Sequence, residues 1–328
     1  MCIRPSRMKA GRRRPPRRAS RGAAILLAML VLTLVATVAA AMVWQQSRAV
    51  EVEGAERARA QAGWMLTSGI DFAREVVRRY ADADPQRDQP WDVALAETRL
   101  STLLAADPDR NADTDLEAFL SGQVEDAQAR YNLANLFRDD GSLDPLERAA
   151  LKRLCEALGL SGVDELLVAG LQQAQAGAGT GLATGAAVPP GSFAQLRWLG
   201  LDDATLATLA PHVDLLPRRS PVNLNSATAP VIYAAIDGID LPTAGRLVRQ
   251  RQNRFARLEQ LKEERLVPDS ARVDPQRVTL RSTLVTVSAT VRYEDRTLTE
   301  RALLEVTGGG ASARAQVLRR ERRPGLTG

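Results

Sequence analysis

The chain has little of what most enzyme chemistry needs. Its 328 residues include one histidine, His212, and two cysteines, Cys2 and Cys155. A lone imidazole leaves no set for histidine-based hydrolysis or for a multi-histidine metal site. Aromatic residues make up 4% of the chain. Tyr80, Trp91 and Trp198 are too scattered to form a stacking platform, so core or interface packing accounts for them. No nucleophile–base pair and no phosphate loop can be read, which argues against an enzyme. Two further absences concern charge. The first 22 residues carry nine Lys/Arg and no acid, and from Ala23 through Ser47 there is no charge of either sign.

What stands between those absences is an apolar helix. At ~1.5 Å rise per residue, Ala23–Val43 is ~32 Å long, enough to cross a bilayer core. Trp44 lies at its far end, where an amphipathic ring suits the interface, and the arginines predict a cytoplasmic N-terminus. Three fates compete for this segment. A secretory signal would be cut near Ala39-Ala40-Ala41. A plain anchor would stay uncut. Favoured is a cut before the apolar stretch, after Gly22, which leaves Ala23 as the new N-terminus with the helix attached. Without the leader, 35 basic residues face 39 acidic ones, a net charge of −4. The basic character of the whole chain is therefore topogenic and no sign of nucleic-acid binding. Cys2 and Cys155 then lie on opposite sides of the membrane and cannot pair. Cys155, among Leu151, Leu154 and Leu158, reads as a small buried apolar residue.

The pattern beyond the membrane divides the chain. Ala58, Ala62, Met65, Leu66, Phe72, Ala73, Val76, Val77 and Tyr80 recur at three and four, predicting one helix over residues 23–80. A body segment, 81–136, includes the alternation Ala127, Ala129, Tyr131, Leu133, which fits a strand and fits a helix nearly as well. Asp144-Pro145-Leu146-Glu147 orders an N-cap, a first-turn proline and a capping-box glutamate. Further helical patterning follows over 163–175, 192–216 and 222–252. From Val285 the period becomes two, predicting a hairpin over residues 285–306. The expected architecture is α+β: a long N-terminal helix on a small antiparallel sheet, with an all-α domain (137–265) inserted before C-terminal strands (266–307). Residues 308–328 read as a disordered basic tail.

Several motifs carry a resemblance. "RGAAILLAML" at Arg21–Leu30 looks like a pilin-type processing site. "PWDVALAETRL" (Pro90–Leu100), "GQVEDAQARYNLANLF" (Gly122–Phe137) and "LLPRRSPVNLNSATAPVIYAAIDGIDLPTAGRLVRQR" (Leu215–Arg251) resemble the general secretion pathway protein K family, the large minor pseudopilins of type II secretion. The resemblance covers most of residues 21–307. It implies a pilin-like α/β body with a helical insert, cleavage between Gly22 and Ala23 by prepilin peptidase, and N-methylation of Ala23. It also implies a single-pass inner-membrane protein with a periplasmic body. Expected partners are the I and J minor pseudopilins, other pseudopilins, and at the fibre tip exported substrates or the secretin.

Three departures qualify it. Leu27 stands where most pilins carry glutamate, which suits a subunit placed once at the tip. Gln172–Gly191 has no carboxylate where many family members bind calcium, so no cofactor is expected. The string Asp107, Asp109, Asn111, Asp113, Asp115 alternates oxygens, but an EF-hand counted from Asp109 would place Thr114 and Leu120 where Gly and Glu belong. Finally, Val222–Arg251 resembles a helix-hairpin-helix, so the competing reading is a membrane-anchored DNA receptor of competence type. Asp240 replaces the second glycine of such a hairpin and would repel phosphate; no nucleic acid is expected.

Overall fold

A computed structural model describes residues 21–80, 94–99, 118–178, 189–251, 254–293, 296–308 and 312–324. Residues 1–20 of the leader, the string Asp107–Asp115 and Trp91 lie outside the described residues. The described residues divide into two compact units after Gln61. Helix α1, Arg21–Tyr80, contributes to both.

In the first unit α1 is uncharged from Ala23 to Ser47 and carries acids and arginines beyond. Its two threonines satisfy themselves: the Thr33 hydroxyl donates to Leu30 O (2.9 Å) and the Thr37 hydroxyl to Leu34 O (2.8 Å). Such back-bonding leaves no hydroxyl in need of water along the span.

The second unit holds a five-stranded antiparallel sheet. Its strands are β1 (Ala94–Arg99), β2 (Ala118–Asp126), β7 (Leu284–Tyr293), β8 (Arg296–Thr307) and β9 (Arg314–Pro324), in the order β1-β2-β7-β8-β9. On one face Val285, Val287, Ala289, Val291, Ala302, Leu304 and Val306 pack on Ala62, Leu66, Ile70 and Val77 of α1. The predicted hairpin is present as β7 and β8, with Val287 opposite Ala302. Inward apolar and outward polar residues alternate as a sheet with one covered face requires.

Between β2 and β7 runs the helical insert. It contains β3 (Tyr131–Asn132), α2 (Pro145–Ala157), α3 (Val163–Ala178), a 3₁₀ segment (Phe193–Leu199), α4 (Asp203–Leu209) and β4 (Val213–Asp214). There follow β5 (Val222–Asn223), α5 (Ala229–Ala235), α6 (Leu241–Gln250), α7 (Gln260–Glu263) and β6 (Val278–Thr279). Its core reaches from Tyr131 to Leu280 and includes Leu133, Leu136, Val267 and Val278. The expected bounds of 137 and 265 are therefore too narrow at both ends, because the short parallel pairs β3–β4 and β5–β6 belong to the insert. Since Asp126 lies opposite Val285, the insert is topologically the loop of one hairpin.

The alternation from Ala127 to Leu133, which fitted strand and helix alike, is made by 3₁₀ turns at Ala127–Ala129 and Leu133–Leu136 with the two-residue β3 between them. Two other expectations are corrected. Val222 opens a strand and not a helix. The expected disordered tail contains β9, paired with β8 from Thr307↔Arg314 to Leu298↔Pro324. Gly308 starts that return: its φ is +75°, and a Cβ there would lie 2.7 Å from Ser312 O.

Candidate functional site

The prepilin-type junction comes first. The backbone at Gly22 and Ala23 begins α1. Ile25 to Trp44 presents its large apolar residues outward, Leu27 among them at 65% exposure. Among the described residues one helix is long and apolar enough to cross a membrane, and this is compatible with a single-pass anchor. The Arg48 guanidinium stacks over Trp44, 4.5 Å from the ring centroid, pairing a cation with an interfacial aromatic.

Further along, α1 has two faces. Ala62, Leu66, Ile70 and Val77 are buried on the sheet. Trp64 (74% exposed) and Phe72 (65%) look the other way. At 100° per residue, Trp64 sits about 160° from the buried Leu66 and Phe72 about 160° from the buried Ile70. The expected stripe assigned Phe72 to the buried side and left out Trp64. Spacing of three and four gives a face its period but not its phase, and the sheet sets the phase. Beyond Phe72, the Arg78 and Arg79 guanidinia hydrogen-bond Glu75 and hold its carboxyl down at about 2.

The distant sequence motifs meet in a buried polar seam. Gln128 Nε2 donates to Pro221 O (2.9 Å), and its Oε1 accepts from the amides of Thr283 (2.7 Å) and Leu284 (3.1 Å). Asn132 Nδ2 donates to Arg218 O (2.7 Å) and Ser220 Oγ (2.9 Å), while its Oδ1 accepts from Leu216 N (3.1 Å). Asn135 and the Ser220 backbone exchange two bonds of 2.9 Å. Asp126 accepts from Asn223 Nδ2 (2.8 Å), from Gln128 N (2.8 Å) and from Ser226 Oγ. Burial raises its carboxyl above the ordinary range, against those same donors and Ser282, which also receives Asn223 Nδ2 at 2.9 Å. Each polar group here is met by a partner, as burial demands. Asn132 and Asn135 thus tie together two segments of the insert, while Asn223 and Gln128 stitch it to the two chain crossings into the sheet.

A second cluster sits deeper. Arg277 Nε donates to Glu147 Oε1 (2.8 Å) and Nη1 to Asp237 Oδ2 (3.1 Å); Arg153 also pairs with Asp237. The Tyr131 hydroxyl donates to Glu147 O at 3.0 Å. Arg277 and Glu147 side chains are 7% and 4% exposed. Burial alone would lower the guanidinium's affinity for its proton, but Glu147 and Asp237 outweigh it and raise it. The capping-box expectation is half met. Asp144 caps α2, accepting from Leu146 N at 3.1 Å, whereas Glu147 turns inward to Arg277.

The helix-hairpin-helix is α5 and α6 around Gly238, whose φ is +84°. A Cβ there would come within 3.2 Å of Ser270 O. Asp240 accepts from Thr243 N at 2.8 Å, and hydrogen bonds from the Thr243 side chain and backbone hold its carboxyl below the ordinary range. A carboxylate therefore occupies the helix start that a phosphate would need. Arg246 donates to Thr243 Oγ1 (2.9 Å), and Arg251 donates to the carbonyls of Leu224 and Ala227. Val231, Ile232, Ala234, Ala244 and Leu247 are buried in the insert's core, so the hairpin is a packing unit. Cys155 is buried too; desolvation, then Asp164 and Glu156, push its thiol up to about 12. Among the described residues no group of three His, Cys, Asp or Glu is placed to hold a metal ion.

Residues 222–280 match the family model of the type II secretion system (T2SS) protein K. No curated protein matches the chain. Among solved structures, the fold resembles a chain in the crystal structure of the GspK-GspI-GspJ complex from the enterotoxigenic Escherichia coli type 2 secretion system. The TM-score is 0.56 at 16% identity, covering 82% of this chain and 98% of that one. The matched segment holds α5, α6, α7 and the 222–223 and 278–279 strands, which form the C-terminal part of the insert. The family segment supports the reading of this chain as a protein K minor pseudopilin, and the structural likeness shows a shared fold.

Proposed function

We propose that the chain is the tip subunit of a type II secretion pseudopilus, built from an inner-membrane precursor with its body in the periplasm. Prepilin peptidase cuts between Gly22 and Ala23, and Ala23 is then N-methylated. The exposed rod from Ile25 to Val43 holds the subunit in lipid and later bundles with other pseudopilins. The face bearing Trp64 and Phe72 receives the I and J minor pseudopilins. Leu27 removes the glutamate link of the repeating fibre, and a head as large as residues 127–283 is accommodated only where no subunit stacks above it. The protein works by assembly and not by catalysis, initiating the fibre and helping folded proteins cross the outer membrane.

The observation that carries this reading is the protein K segment at 222–280 in a chain whose N-terminal helix has no charge from Ala23 to Ser47. The test is Edman or mass-spectrometric sequencing of the protein from cell envelopes, with co-purification of I- and J-type subunits. A methylated Ala23 terminus with both partners retained is expected. An intact arginine-rich leader, or a terminus near Ala41, in assembly-competent material overturns it.

A further inference from the structure

We propose that β9 is a strap that fixes the inserted head against the sheet, and that without it the head swings as a unit about the two chain crossings. The crossings leave the sheet side by side, from Asp126 at the end of β2 and into Leu284 at the start of β7. The polar seam of Asp126, Gln128, Asn223 and Ser282 grips the head there, and from β8 Arg301 reaches Asp214 of the head only at 3.8 Å. A joint at one line permits rotation; a second attachment away from that line removes it. β9 lies two strands from β7 at the sheet edge, roughly 10 Å away at ~4.8 Å per strand.

A bulge makes that attachment. Leu303 faces Arg319 while Leu304 faces Val317, so Leu318 is the extra residue. A bulge re-aims side chains out of the alternation. Leu318 packs with Leu303, Leu284, Ala127 and Leu216, a cluster drawn from sheet, crossing and head. Arg319 Nη1 donates to Leu215 O (3.2 Å) and to Gly191 O, both in the head. On the opposite face, Arg322 Nη2 donates to Glu300 (2.8 Å) and Arg320 Nη2 reaches Asp71 of α1 (3.5 Å). Gly63 leaves room on α1 for the Arg322 guanidinium. One strand thus holds sheet, helix and head together. The Arg218–Glu305 pair supports the head on β8, but Arg218 is 55% exposed, and an exposed pair contributes little.

The test uses the full chain in detergent, with Cys2→Ser, Arg74→Cys on α1 and Lys152→Cys on the head, and spin-label distance measurements between them. A narrow distribution is expected for this background. In Leu318→Ala/Arg319→Ala it should broaden roughly twofold, while the circular dichroism of the helices and sheet is retained, as for local freeing of a folded unit. Arg319→Lys should recover part of the width, since an ammonium can still donate to one carbonyl. An unchanged width in the folded double variant overturns the proposal. If the double variant does not fold, Arg319→Ala alone decides by the same criterion.

Discussion

Glu147 shows how one residue can obey a local rule on paper and a tertiary one in the fold. Its place three residues after Asp144 is that of a capping-box partner, yet its carboxylate is spent on Arg277 at 2.8 Å. Removing one partner of a buried pair strands the other. Glu147→Gln should therefore lower stability by on the order of 3 kcal/mol, read from the denaturant midpoint, and Glu147→Met/Arg277→Met should cost less than either single change. His212 gives a pH dependence. Burial, and then Arg130, hold its imidazole below 6.5; its Nδ1 lies 2.8 Å from Thr228 Oγ1. The unfolded chain then takes up the proton first. Stability present above about 6.5 is lost as pH falls toward the lowered value. Between pH 7.5 and 5.5 the melting temperature should drop, and His212→Gln should flatten that slope. Asp126 runs the other way: its raised carboxyl contributes fully below 3.8, and that contribution is lost as pH rises through the folded value.

At the scale of elements, period was legible and partnership was not. The long helix and the β7–β8 hairpin follow from three-four and two-residue spacing. The phase of α1 needed the sheet, which is why Phe72 moved to the outside and Trp64 came to notice. Replacing both by alanine should leave the fold intact and weaken co-purification with I- and J-type subunits at least about tenfold, as loss of exposed aromatic anchors does. β9 was hidden by its composition: five arginines and one glutamate in residues 314–324, after a glycine run. Those arginines are read as a tail until Glu300, buried at 2% exposure, is seen to gather Arg320 and Arg322. Cations, a bulge and a terminal proline also suit an edge strand that must not recruit another sheet. Gly308→Ala forces a Cβ against Ser312 O in a left-handed turn and should cost about 1 kcal/mol or more. Hydrogen exchange of the β9 amides should rise while that of β7 stays unchanged. The seam asparagines were visible as motifs, but nothing in one sequence says that Asn132 and Ser220 touch.

At the scale of the whole chain, the sheet and the head are separable by construction. Joining Asp126 to Val285 by a two-residue Asn-Gly turn, in place of the head, should keep the sheet folded on α1, since that is a hairpin's own connection. Without the head Asp126 regains water, and its carboxyl comes down toward the ordinary range even though the donors Asn223 and Ser226 are lost. Circular dichroism with retained β7–β8 exchange protection checks the first claim, and titration of Asp126 the second. A chain that does not fold would show that the head, not the hairpin, aligns the strands.

The separation of β2 from its neighbour also imposes a schedule on biogenesis. The edge of β2 emerges early, and its mate is synthesised only after the entire head has been made. Throughout that interval β2 exposes unmated amides and carbonyls. Closure is thus a late, long-range event, slow by its topology, and the nascent subunit is open to mispairing or chaperone capture until the head has condensed and drawn the two ends together.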